Sequence, residues 1–133
     1  MEELREPSLR GKAFAVGGRP DQRGVVSSCS YAARKFGVRS AMPMAVALRQ
    51  CPGLILVQPH FRAYSLASRQ VMSRLRQLTP LVEQISIDEA FLDVSALPQE
   101  AEELARQPQA QIREDLSLPC SLGVAANKLV AKI

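Results

Sequence analysis

Asp88 and Glu89 stand side by side between two apolar, strand-like runs. Upstream is Leu81-Val82-Glu83-Gln84-Ile85 and downstream is Phe91-Leu92-Asp93-Val94. In a regular strand, neighbouring side chains point to opposite faces. Two consecutive carboxylates therefore reach one ligand only where the chain bends, as at the end of a hairpin. Held close, they repel each other unless a proton or a cation neutralises them. Hard oxygen donors of this kind suit Mg2+, which commonly takes one or two carboxylates together with phosphate oxygens. A solvated acidic turn is the other reading of Ser86-Ile87-Asp88-Glu89-Ala90, and spacing alone leaves both open.

The chain has 133 residues, a common size for one domain, and its 47% apolar content is enough for a real core. No apolar run is long enough to span a bilayer, so no membrane partner is expected. The opening Met1-Glu2-Glu3-Leu4-Arg5-Glu6 is polar and acidic, unlike a signal peptide. Cys29, Cys51 and Cys120 are odd in number and far apart, which fits neither a disulfide framework nor a zinc pattern. A reducing, cytoplasmic location is the expectation.

The net charge of +4 hides an asymmetry. From Arg10 to Arg76 there are twelve Lys/Arg and one acid, Asp21. The remainder carries five Lys/Arg and twelve acids. A basic half suits a polyanion, and an acidic half suits metal or solvent. Arginines scattered over helix surfaces would give the same count.

Residues 1–10 read as the end of a helix stopped by Pro7. Apolar Ala13-Phe14-Ala15-Val16, a turn-rich loop from Gly17 to Gly24, and Val25-Val26-Ser27-Ser28 predict a hairpin over 13–28. Ser28 or Ser30 can cap a short helix running to Phe36 and closed by Gly37. On it Tyr31 and Arg34 are three apart, hence on one side. Arg pairs with phosphate oxygens through two parallel N–H donors, so this face can hold a triphosphate. Tyr31 packed on the Arg34 stem is the plainer alternative.

Pro43 can occupy the first turn of a helix ending before Pro52-Gly53. Leu54–Val57 reads as a buried strand. The longest helix is expected over 61–78, with Phe61, Tyr64, Ala67, Val71, Leu75 and Leu78 as its core stripe. His60 at its entrance is read as a capping or surface residue. Strands are expected over 82–87 and 89–94. Pro98 opens a helix in which Pro108 predicts a kink or break. A final strand is expected over 120–125, followed by a helix capped by Asn127. Walker and Rossmann glycine patterns are absent.

The order of motifs resembles the Y-family DNA polymerases. The residues that carry it are Ser28-Cys29-Ser30-Tyr31-Ala32-Ala33-Arg34-Lys35-Phe36-Gly37-Val38, Met42-Pro43, Ser86 to Asp93, and Leu122 to Lys132. The chain looks most like the bacterial DNA polymerase IV (DinB-type) branch, with its UmuC-type catalytic domain. The resemblance covers nearly the whole chain, and the motifs are specific in combination. It implies an α/β (α+β) fold, a ferredoxin-like palm with a small fingers subdomain, truncated at both ends. Residues 11–58 would be mainly fingers, and 1–10 and 59–133 mainly palm.

The resemblance also implies site roles. Asp88 and Glu89 match the catalytic, metal-binding carboxylates. Tyr31 and Arg34 match residues that contact the incoming triphosphate, and Ser28 matches a hydroxyl beside them. Gly24 and Val25 fall where the fingers meet the templating base. The implied chemistry is translesion DNA synthesis by a two-Mg2+ nucleotidyl transfer. Its partners would be primer–template DNA and deoxynucleoside triphosphates, with a sliding clamp engaged through regions outside this chain. The family's first metal-binding Asp, the neighbouring residue that excludes ribonucleotides, and a later phosphate-binding Lys have no counterpart here. Weak or no activity is therefore expected of residues 1–133 alone. A non-catalytic module that binds DNA or protein through the basic half is the alternative.

Overall fold

The computed structural model describes residues 1–133, which divide into two compact units, Met1–His60 and Phe61–Ile133. No helix is long and apolar enough to cross a membrane.

The first unit is built on a three-stranded sheet of order β2-β1-β3. Strand β1 (Phe14–Gly17) is central, with β2 (Val26–Cys29) antiparallel on one side and β3 (Ile55–Val57) parallel on the other. All four residues of β1 are buried, because both faces of the sheet are covered. On one face Ala15, Val26 and Cys29 pack with Ala33, Val38, Met44, Ala47, Cys51 and Leu54. On the other, Phe14, Val16 and Val57 pack with Leu9. Val16 pairs with Ser28 and Gly17 with Val26, so Ser27 is the extra residue of a bulge. That is why β2 buries only Val26 and Cys29.

Two short helices lie between β2 and β3: α2 (Tyr31–Arg34) and α3 (Met44–Gln50). Of the two capping serines, Ser30 takes the role. Its hydroxyl accepts the Ala33 N–H at 3.2 Å and the Phe14 N–H at 3.1 Å, and donates to the Lys12 carbonyl at 2.9 Å. One buried hydroxyl thus ties the helix start to the central strand. Gly37, at φ +85°, makes the left-handed turn that follows. At the other end of the unit, helix α1 (Glu2–Arg5) stops before Pro7. The buried Glu2 carboxylate accepts from Nδ1 of half-exposed His60 at 3.0 Å. His60 is thus a surface residue, as expected, and pairs with Glu2.

The second unit opens with α4 (Phe61–Leu78), at the expected bounds. Its buried residues are Ser68, Met72 and Leu75, whereas Phe61 is 69% exposed. Of the expected stripe, Leu75 is buried and Val71 packs against the same core, whereas Phe61 lies outside it. Met72 and Ser68, the latter hydrogen-bonded to Gln84 at 3.4 Å, are buried beside them. Strands β4 (Val82–Gln84) and β5 (Ala90–Leu92) form an antiparallel hairpin. Val82, Ala90 and Leu92 pack on a core of Met72, Leu75 and Ile112. Alternation sends Glu83 and Phe91 to the other face.

Helix α5 (Ala101–Leu116) runs on through Pro108, so the expected break does not occur. Leu104, Pro108 and Ile112 form one buried row at i, i+4, i+8. Packing of that row overrides the local cost of the proline. The strand expected over 120–125 is also absent. The Cys120 carbonyl accepts from the Gln109 side chain at 3.0 Å instead of joining a ladder. Helix α6 (Lys128–Ala131) follows, and Asn127 Oδ1 caps it through the Val130 N–H at 3.0 Å.

Candidate functional site

The chain does bend between β4 and β5. The Ile85 and Ser86 N–H groups both donate to the Glu89 carbonyl, at 3.0 and 3.2 Å. Ser86 organises the turn with its side chain. Its hydroxyl donates to Asp88 Oδ1 at 2.6 Å and accepts the Glu89 N–H at 3.1 Å. The Gln84 amide holds the Ser86 carbonyl at 2.9 Å. Asp88 and Glu89 are both exposed at the end of the hairpin. Short-range composition marks the turn, but the role of Ser86 is not visible in the carboxylate pair alone. The signal is a hydroxyl two residues before an Asp, which favours a local side-chain turn.

Helix α6 supplies the positive charge. Lys132 Nζ lies 3.0 Å from Glu89 Oε2, and Lys128 pairs with Glu83. Lys128 also sits 5.7 Å from the Phe91 ring centroid. The two lysines, four apart on one helix face, thus meet the hairpin face opposite the core. No local pattern around Asn127 marks the two lysines as partners of Glu83 and Glu89, which lie 45 and 43 residues away in sequence.

Asp93, at the hairpin base, has a different job. Its carboxylate accepts the Ser95 N–H at 2.9 Å, which holds its pKa below the usual value. Its backbone carbonyl receives the Thr79 hydroxyl at 3.0 Å. It closes the hairpin rather than joining the exposed pair.

No group of three or more His, Cys, Asp or Glu side chains is arranged to hold a metal ion. Two carboxylates remain at the turn, one oriented by a hydroxyl and one charge-paired with a lysine. Such a donor set fits Mg2+ that completes its shell with water and phosphate oxygens.

In the first unit, Tyr31 opens α2 and Arg34 closes it. The Arg34 guanidinium carbon lies 5.8 Å from the Tyr31 ring centroid, within cation–π range. Tyr31 is 87% exposed, and no carboxylate pairs with Arg34. The structure thus brings these two together, with the face of the ring and the guanidinium both accessible. Arg39 donates to the Arg34 and Val38 carbonyls, both at 2.8 Å, and so satisfies the end of the helix. Ser28 is exposed on β2 and bonds to neither Tyr31 nor Arg34.

Gly24 has a backbone reason to be glycine. Its N–H donates to the Arg19 carbonyl and its carbonyl accepts the Met44 N–H, both at 2.8 Å. A Cβ there would collide with the backbone of Gly18. Val25 beside it is 48% exposed and bridges to Pro43.

Comparison with known proteins covers both units. The model of the impB/mucB/samB family (IMS) matches residues 1–133. The DNA polymerase IV of Pseudomonas aeruginosa is 50% identical over 136 residues, covering 100% of this chain and 39% of that protein. The DNA polymerase IV of Ralstonia nicotianae is 47% identical, with 100% and 38% covered. The chain thus spans about two-fifths of the length of the curated relatives it matches. Among solved structures, DinB from Sulfolobus solfataricus superposes with a TM-score of 0.90 at 35% identity, over 98% of this chain and 40% of that one. An insertion ternary complex of Dbh DNA polymerase gives 0.90 at 34% identity, with the same coverage. Matched over its whole length by that family model, and akin in sequence and fold to these Y-family polymerases, the chain belongs to the impB/mucB/samB family.

Proposed function

We propose that this chain supplies the metal-binding carboxylates and the nucleotide contacts of a template-directed DNA polymerase acting in translesion synthesis. The observation that carries the reading is the Ser86-pinned turn, which exposes Asp88 and Glu89 together in a chain matched end to end by the family model.

Asp88 and Glu89 would hold the Mg2+ of a two-ion nucleotidyl transfer. Bound there, Mg2+ supplies charge neutralisation and a more acidic primer 3′-hydroxyl. Ser86 fixes the rotamer of Asp88, so the carboxylate needs little reorganisation. The Arg34 guanidinium pairs with phosphate oxygens through two N–H donors. The Tyr31 phenol donates a further hydrogen bond, and Ser28 offers a hydroxyl from the neighbouring strand. Gly24 and Val25 present a small, flat surface to the templating base. Primer–template DNA and deoxynucleoside triphosphates are the substrates, and the cytoplasm is the location, consistent with three free cysteines.

Residues 1–133 alone supply two carboxylates at this turn, and little or no primer extension is expected of them. The test is an NMR titration of the chain with Mg2+ and dNTP, alongside a primer-extension assay. Weak binding that Asp88→Ala and Arg34→Ala both diminish supports the reading. Templated extension by residues 1–133 would overturn the expectation of low activity. Salt-sensitive DNA binding with no Mg2+-nucleotide response would favour a non-catalytic DNA-binding module instead.

A further inference from the structure

The Asp88–Glu89 turn contains a cation of its own. Lys132 Nζ sits 3.0 Å from Glu89 Oε2, 43 residues away in sequence. Three features hold it there. Asn127 caps the start of α6. Lys128, one turn before Lys132, is anchored to Glu83 and lies over the Phe91 ring. Glu83 and Phe91 are cross-strand partners on the outer face of the hairpin. The helix is thereby set against that face, and its second lysine falls at the carboxylate turn.

We infer that Lys132 is the resident counter-ion of Glu89 and competes with the divalent cation for its carboxylate. The inference rests on the metal-site reading above. Two adjacent exposed carboxylates repel each other, and one ammonium relieves part of that repulsion. A divalent ion that takes Glu89 must displace the ammonium or share the carboxylate with it. Lys132 therefore keeps the empty turn in shape and lowers its divalent affinity. It acts through Glu89 and is a positioning residue.

Mn2+ alone, followed by its EPR signal, tests this on residues 1–133 without any turnover. Lys132→Gln is expected to bind Mn2+ about two- to fivefold more tightly than the native chain, the range that an exposed ion pair can shift. Lys132→Arg, which keeps the charge, stays near the native value. Lys128→Gln keeps the Lys132 charge but loosens the anchor that seats it, and is expected to give a smaller gain than Lys132→Gln. Equal or weaker binding by Lys132→Gln, with Asp88-dependent Mn2+ binding intact, overturns the counter-ion role and leaves the metal site standing. A gain shared equally by Lys128→Gln also overturns it, since helix docking would then be the cause. If neither the native chain nor Lys132→Gln binds Mn2+ in a way that Asp88→Asn abolishes, both the metal site and the counter-ion role are lost.

Discussion

The Ser86 hydroxyl donates to Asp88 Oδ1 across 2.6 Å, the shortest tie in the β4–β5 turn. The same oxygen accepts the Glu89 N–H, so one side chain orients both acidic residues. Ser86→Ala is expected to weaken Mn2+ binding roughly two- to tenfold, the worth of an ordinary hydrogen bond. Ser86→Thr should retain most of it. An unchanged Mn2+ titration curve for Ser86→Ala would show that the hydroxyl does not orient the site.

Arg34 is exposed, contacts the Tyr31 ring and pairs with no acid, so its removal costs the fold little. Its effect should appear in nucleotide binding. Arg34→Ala is expected to weaken Mg2+-dNTP binding by about tenfold or more, the scale of a charge-assisted bond. Arg34→Lys should recover only part, since an ammonium lacks the planar fork. Isothermal titration with a non-hydrolysable nucleotide gives the comparison. Equal affinity in all three chains would remove Arg34 from the phosphate site.

Ser30 serves stability instead. Its buried hydroxyl satisfies the Phe14 and Ala33 N–H groups and the Lys12 carbonyl. Ser30→Ala leaves those groups short of partners and is expected to cost about 1–3 kcal/mol. Urea denaturation followed by circular dichroism measures it. A loss below about 0.5 kcal/mol would mean that water replaces the hydroxyl without cost.

Features set by neighbouring residues were legible in the sequence. The Ser30 cap, the Gly37 turn, the Asn127 cap and the bounds of α4 all follow from local chemistry. So does the bend at Asp88–Glu89, and the chemistry expected there came with the family resemblance. What was not legible depends on partners distant in the chain. The Lys132–Glu89 pair spans 43 residues, and no spacing rule reaches that far. Cys120–Ala125 has strand-like composition, yet the Cys120 carbonyl is taken by Gln109. Pro108 looks like a breaker until Leu104 and Ile112 are seen burying it in one row.

Pro108 therefore sits where local and tertiary demands disagree. Alanine there restores an N–H for the Leu104 carbonyl and removes the ring clash, at the loss of some buried surface. The proline penalty is about 3 kcal/mol, so Pro108→Ala is expected to stabilise by about 1–2 kcal/mol net. The midpoint of urea unfolding should rise. A fall would show that the buried ring contributes more than the helix loses.

Three carboxylates have pKa values lowered in the folded chain. Asp93 is lowered by the Ser95 hydrogen bonds, Asp21 by its hydrogen bond from Arg19, and Glu102 by its hydrogen bond from Arg106. A lowered folded pKa adds stability that is complete above the unfolded value and is lost as pH falls through the folded one. The ordinary values are 3.8 for Asp and 4.5 for Glu, so the contribution should be intact at pH 6 and decline below about pH 4. Asp93→Asn should flatten the decline. High salt should flatten the Asp21 and Glu102 parts but not the Asp93 part, whose first cause is a backbone N–H. Urea midpoints at several pH values check this, and an equally steep fall in Asp93→Asn would contradict it.

The approach of Gly24 to Gly18 sorts the residues of that loop by what a substitution there can report. At 24 any side chain must push two stretches of main chain apart, so loss of function in a Gly24 variant measures loop closure. Val25 projects a half-exposed side chain from an anchored backbone, so exchanges there leave the loop in place. A survey that tests the proposed template contact should therefore take its signal from position 25 and treat position 24 as a folding control.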